Sequence, residues 1–254
     1  MKIVPLSREE LGPMREACKV AAQVLDRTAR FVEAGVTTYE IDRFAHKVME
    51  ELGAESTSYN YTCGGVPFPG YICVSVNEEV IHGIGTMRRT IRPGDIVSLD
   101  VVTRYKGFVG DNTRTVFVEP VAEPVRRLCE VTEGALYAGI AAAHRGNRVG
   151  DISHAIEQFV RPHGYGIVHE YTGHGVGRSM HEEPQVPNYG KPHKGEKLRP
   201  GMTLAIEPMI CMGSRYVDVA DDGWTVVTRD GKPAAHYEHT ILITEDEPEI
   251  LTKL

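Results

Sequence analysis

The chain has 254 residues, 41% of them hydrophobic, enough to bury an extensive core without stabilising staples. Its formal net charge of −7 argues against DNA or general nucleic-acid binding, which relies on a basic footprint. Five cysteines, odd in number and without a CxxC pair, exclude a disulfide scaffold or zinc knuckle and fit free thiols in a reducing cytoplasm.

Met1-Lys2-Ile3-Val4-Pro5 lacks the apolar stretch of a signal peptide. Ser7-Arg8-Glu9-Glu10 then has capping-box spacing, which predicts a helix to about Glu33 before Ala34-Gly35. Thr37 with Glu40 repeats the signal, for a helix that carries Ile41, Phe44, Ala45, Val48 and Leu52 on one face and stops at Gly53. Valine-rich strands follow, at about Ile72 to Val76 and Ile96 to Val102, and Lys106-Gly107 reads as a hairpin turn before a return strand from Asp111 to Val118. With that turn Tyr105 pairs Phe108 and Asp100 pairs Thr113, so Asp111 shares the face of Asp100. Helices from about Glu123 to His144 and Asp151 to Val160 come next, then glycine-rich turns and strands. The longest nearly apolar run, Ala135 to Ala143, falls far short of the roughly 20 residues that span a bilayer, so no membrane association is expected.

The second half echoes the first. Arg92-Pro93-Gly94 through Asp100 is matched by Arg199-Pro200-Gly201 through Glu207, with an acid at the same place in each. Tyr61-Thr62 before Gly65 recurs as Tyr171-Thr172 before Gly175, and Gly35 with Ile41 recurs as Gly146 with Ile152. Short matches arise by chance, yet three near-equal separations favour a duplication: one domain, 1–254, made of two similar αβ halves, about 1–120 and 121–254, with a site where they meet.

Asp100, Asp111, His174, Glu207 and Glu238 occupy strand-like or glycine-rich contexts. Singly, each acid would be read as an exposed or salt-bridged strand end. Together they suggest a metal site, because a buried unpaired carboxylate is costly and a cation removes that cost. Four carboxylates balance two divalent ions, and oxygen-rich ligation with one imidazole suits Mn, Fe, Co or Zn. Such a pair can hold a hydroxide at neutral pH beside a polarised carbonyl, which is hydrolytic chemistry. Gly173-His174-Gly175-Val176-Gly177 is too weak for a nucleotide fingerprint, and His181-Glu182-Glu183-Pro184-Gln185 is no HExxH.

Over nearly its whole length the chain resembles the type I methionine aminopeptidases. The resemblance rests on Ser75-Val76-Asn77-Glu78 with His82-Gly83, Gly94-Asp95-Ile96-Val97 with Asp100, Gly107 to Asp111, Gly173-His174-Gly175 to Pro187, Gly201-Met202 to Pro208, and Tyr237-Glu238-His239-Thr240. It implies the α+β pseudo-two-fold pita-bread (creatinase/aminopeptidase) fold, with a central antiparallel sheet and helices on its outer face. It further implies that Asp111 and Glu238 bridge two metals, that Asp100 binds one, and that His174 with Glu207 binds the other. In the family's chemistry a bridging hydroxide attacks the scissile carbonyl, Glu207 shuttles the proton, His181 steadies the oxyanion, and His82 orients the peptide. Phe68, Cys73 and Trp224 fall where the family lines its methionine pocket, and Met180 also lines it, where phenylalanine is common. Segment Thr62-Cys63-Gly64-Gly65-Val66-Pro67 lacks the tyrosine and histidine often found there.

The expected substrate is the N-terminal methionine of nascent polypeptides with a small second residue, acted on by a cytoplasmic monomer. The rivals are a prolidase or Xaa-Pro aminopeptidase, which shares the five ligands but usually carries an extra N-terminal domain, and a non-catalytic pita-bread module, which would have lost ligands. A type II enzyme would need an inserted subdomain for which there is no room. Lys191, Lys194, Lys197 and Arg199 face only Glu196 and could meet ribosomal RNA transiently, although a solvated loop is the plainer reading.

Overall fold

The computed structural model describes residues 3–254; Met1 and Lys2, part of the N-terminal stretch read for a signal peptide, and the side chain of Cys63, counted among the free thiols, lie outside the described residues. Reciprocal caps open the first two helices. Ser7 N–H donates to Glu10 Oε2 at 2.8 Å ahead of α1 (Arg8–Phe31), and Thr37 N–H donates to Glu40 Oε2 at 2.7 Å ahead of α2 (Thr38–Leu52). Gly53, with φ 68°, ends α2 in the left-handed conformation that favours glycine.

Two later helices differ slightly from expectation. α3 (Glu123–Ala141) stops short of His144 because Ala142 and Ala143 turn back tightly onto the carbonyls of Gly139 and Ile140, at 3.1 and 2.9 Å. α4 (Val149–Val160) starts before Asp151, whose carboxylate accepts the Arg148 N–H at 2.7 Å from inside the first turn. Among the described residues no helix is long and apolar enough to cross a membrane.

A nine-stranded sheet organises the molecule, and its ladders are antiparallel. In space the main path runs Glu55–Ser56, Ile96–Tyr105, Phe108–Phe117, Glu238–Leu242, Thr203–Ile206, Gly173–Gly175, Glu182–Val186. Cys73–Val76 also pairs with Ile96–Tyr105. Lys106 and Gly107, with φ 49° and 83°, form the two-residue turn, and the register sets Tyr105 opposite Phe108 and Asp100 opposite Thr113. Gly110 touches α1, where an added Cβ would lie 2.8 Å from the Ala17 carbonyl oxygen, so alternation turns its neighbour Asp111 to the opposite face.

The helices cover the face of Gly110, away from Asp111, through two cores. Val24, Ile41, Val48 and Met49 pack on Val74, Val97 and Leu99, while Leu128, Leu136, Ile152 and Ile156 pack on Leu204, Ile206 and Ile241. Each such side chain contributes roughly 1.5–3 kcal/mol of burial free energy.

Segments that echo each other in sequence make matching hydrogen bonds. Gly94 N–H donates to Val118 O at 2.7 Å and Gly201 N–H to Ile243 O at 2.9 Å; Ile91 N–H donates to Val36 O and Leu198 N–H to Asn147 O, both at 2.8 Å. Gly94 and Gly201 adopt φ 95° and 88°, the positive values this turn requires.

Candidate metal centre

On the sheet face away from the helices, Asp100, Asp111, His174, Glu207 and Glu238 line one cavity of about 410 Å³, together with Phe68, Cys73, His82, Met180, His181 and Trp224. Every site residue expected from the sequence therefore lies in a single chamber. Asp100 comes from mid-strand opposite Cys73 and Thr113, Glu238 opens its strand opposite Thr113, and Glu207 directly follows Thr203–Ile206. Glycines make room for His174. A Cβ on Gly173 would collide with the carbonyl of Ala205 and one on Gly175 with that of Glu183, so the His174 strand packs closer to its neighbours than other residues would allow.

His174 Nδ1 faces the Gly175 carbonyl at 2.9 Å, and a proton there leaves Nε2 bare as a ligand. Nε2 lies 3.4 Å from Glu207 Oε1 and 3.7 Å from Asp111 Oδ2. Ligand atoms of Asp111, His174 and Glu238 all fall within 4.8 Å of one another. Thr113 Oγ1 donates to Glu238 Oε2 at 2.9 Å. Asp100 Oδ1 and Glu238 Oε1 are buried without a hydrogen-bond partner among the described residues.

Electrostatics point the same way. Burial, then the neighbouring carboxylates, push Asp111, Glu207 and Glu238 well above the ordinary carboxylate range, and burial raises Asp100. Burial, then nearby His181, pushes His174 down to about 3, so it is a neutral imidazole. Burial likewise pushes His82 and His236 to about 4. Orphaned oxygens, mutually repelling acids and a bare imidazole nitrogen fit divalent metal, which supplies the missing positive charge.

Beside the ligands the wall turns apolar. Phe68 and Trp224 meet edge to face with centroids 5.3 Å apart, next to Cys73, all nearly buried. Burial, then Asp100, raises the Cys73 thiol well above its ordinary value, which suits packing rather than nucleophilic attack. His82 follows Glu79–Ile81 at φ 57° and stands edge-on to Trp224, held by the next residue: Gly83 N–H donates to Ser75 Oγ at 3.0 Å. His181 meets His174 edge to face at 4.5 Å, and Thr57 Oγ1 lies 3.4 Å from Met180 Sδ.

Four neighbours escaped sequence reading. Tyr61 Oη lies 3.2 Å from His181 Nδ1, Tyr171 stands edge-on to His82, Thr113 holds Glu238, and His236 lies 3.6 Å from Glu207 Oε2. Only Thr113 and His236 had a signal, since strand alternation sets each on the face of its neighbouring acid.

Residues 13–245 match the model of metallopeptidase family M24. Methionine aminopeptidase 1 of Bacillus subtilis is 44% identical over 252 residues, covering 99% of this chain and 100% of that one. The crystal structure of a methionine aminopeptidase from Thermotoga maritima superposes with a TM-score of 0.95 at 42% identity, covering 100% of both chains. A prolidase from Pyrococcus furiosus shares the pita-bread fold, with a TM-score of 0.78 at 23% identity over 99% of this chain and 66% of that one. With its acid-rich cavity and full-length kinship, the chain belongs to metallopeptidase family M24 and, within it, to the methionine aminopeptidases.

Proposed function

We propose that the chain removes the N-terminal methionine from nascent polypeptides and peptides whose second residue is small, using two divalent ions, Co, Mn, Fe or Zn. In this reading Asp111 and Glu238 would serve both ions, Asp100 would hold one, and His174 with Glu207 would hold the other. The observation that carries it is a cluster of four desolvated carboxylates and one imidazole beside a small apolar pocket of aromatic rings and sulfur. When bound, the ions supply Lewis acidity at the scissile carbonyl and a nucleophilic water near neutral pH.

The chain's own groups do the rest. Glu207 takes the proton of the attacking water and delivers it to the leaving amine. His181 donates to the carbonyl oxygen as charge develops there, and the Tyr61 hydroxyl on Nδ1 holds its ring. His82, neutral at pH 7, orients the peptide backbone. Phe68 and Trp224 receive the thioether, each sulfur–aromatic contact contributing about 0.3–1.5 kcal/mol. A free α-amine, which carries a lone pair that an amide nitrogen lacks, would be received at the metal centre, which favours cleavage from the end of a chain. Both halves contribute ligands, and the two act as one catalytic domain.

We further propose a cytoplasmic monomer that touches the ribosome transiently through Lys191, Lys194, Lys197 and Arg199, all exposed. The test of the function is an anaerobic assay of Met-Ala and Ala-Pro peptides across Mn, Fe, Co and Zn. Release of methionine from Met-Ala, and far less from peptides with a bulky second residue, is expected. Release of alanine from Ala-Pro without cleavage of Met-Ala would overturn it in favour of an Xaa-Pro enzyme.

A further inference from the structure

His236 is 2% exposed, and neither ring nitrogen has a hydrogen-bond partner among the described residues. Two unmade hydrogen bonds in a buried ring call for an explanation, because each costs roughly 1–3 kcal/mol. Its backbone is pinned: His236 N–H donates to Thr115 Oγ1 at 3.1 Å, and that hydroxyl donates to the His236 carbonyl at 2.9 Å. The ring is thereby held with Nε2 at 3.6 Å from Glu207 Oε2.

The matched hairpins explain why an imidazole stands there. In the first, Asp100 faces Thr113 and Val102 faces Asp111. In the second, Ile206 faces His239 and Met209 faces His236, one register continuing past Glu207 and Glu238. Asp100 thus corresponds to Glu207, Thr113 to Glu238, and Asp111 to His236. His236 occupies the place at which the other half presents a metal-ligating carboxylate, on the same face as Glu238.

We propose that His236 is a positioning residue for the metal centre: its Nε2–H holds the outer oxygen of Glu207, Oε2, leaving Oε1, 3.4 Å from His174 Nε2, to the ion. Hydrogen bonds of this kind to a ligating carboxylate orient it and tighten the site. A neutral imidazole has one N–H, and Nε2 is the nitrogen with a carboxylate in reach. The inference rests on the proposed metal site, and its test needs no peptide substrate.

Purified wild-type, His236→Leu and His236→Gln proteins are titrated with Co(II) or Mn(II) alone, by calorimetry and, for cobalt, visible absorption. His236→Leu is expected to weaken binding of one ion about ten-fold or more, as for lost outer hydrogen-bond partners elsewhere. His236→Gln, whose amide N–H replaces the donor, should stay within about three-fold of wild type. Unchanged binding in His236→Leu overturns the proposal, as does a loss in His236→Gln equal to that in His236→Leu. Nitrogen-15 shifts of the wild-type His236 ring, with a diamagnetic ion such as zinc, give a second readout that needs no variant to fold: a protonated Nε2 is expected, and a bare Nε2 overturns the proposal. If wild type fails to cleave Met-Ala but binds metal with this pattern, the substrate reading falls and the role of His236 stands.

Discussion

The hairpin Ile96–Phe117 and its counterpart, which joins Thr203–Ile206 and Met209–Cys211 to Ala234–His236 and Glu238–Leu242, share a glycine turn and a register but carry different donors. The first presents Asp100, Thr113 and Asp111; the second presents Glu207, Glu238 and His236 in the same order. Backbone hydrogen bonds match within a few tenths of an ångström, whereas the side chains have been exchanged. A repeated scaffold can thus hold an asymmetric site, because strand alternation fixes where a side chain points and leaves its chemistry free.

The largest expected effect tests whether the halves are equally necessary. Asp111→Ala and Glu238→Ala should each abolish paired metal occupancy by metal analysis and lower kcat/KM by more than the roughly 100-fold typical of losing an outer partner. His181→Ala should keep both metals and lose turnover instead. Full metal occupancy in either acid variant would mean that one half holds the ions alone.

Without divalent metal, the burial and the mutual repulsion of the acids would be uncompensated. Asp111, Glu207 and Glu238 have raised folded-state pKa values, so the stability they lend the metal-free protein is complete below about pH 4 and is lost as pH rises through the raised values. Added divalent ion should therefore raise Tm more at about pH 7.5 than at about pH 5. An equal rise at both would show that the acids' folded-state pKa values are not raised.

Gly94 and Gly201 offer a finer contrast. Alanine is strained by about 1–2 kcal/mol at either positive φ. At Gly201 its Cβ would also lie 2.8 Å from the Leu6 carbonyl oxygen, whereas at Gly94 the nearest atom, Pro120 O, is 3.4 Å away. Denaturant unfolding should find Gly201→Ala the more damaging; the reverse order would break the match between the two turns. Smallest is the difference between caps. Thr37 Oγ1 accepts the Glu40 N–H at 3.2 Å, so Thr37→Ala should cost about 1 kcal/mol, while Arg148→Ala should stay within about 0.5 kcal/mol.

Legibility in the sequence followed the range of the interaction. Lys106-Gly107 made the Asp100–Asp111 hairpin readable because turn length and alternation are local rules. The four acids and one imidazole stood out through joint charge and motif resemblance. His236 stayed hidden because its partner Glu207 belongs to the opposite strand, across a turn too long for parity counting. Tyr61 stayed hidden for another reason: its approach to His181 depends on the small ribbon Thr62–Cys63 and Val66–Pro67, and neither strand is long enough to show a period.

The two glycines around His174 change how that proposed ligand responds to mutation. Most metal-binding side chains owe their aim to the neighbours that wedge them into one rotamer, and drift when those neighbours change. His174 is clamped between main chains, Ala205 on one side and the Glu182–Val186 strand on the other, and its Nδ1 answers to its neighbour's carbonyl. Its bearing is thereby insulated from side-chain substitution in the adjoining strands and vulnerable at two points, Gly173 and Gly175, where a single methyl group would force the strands apart.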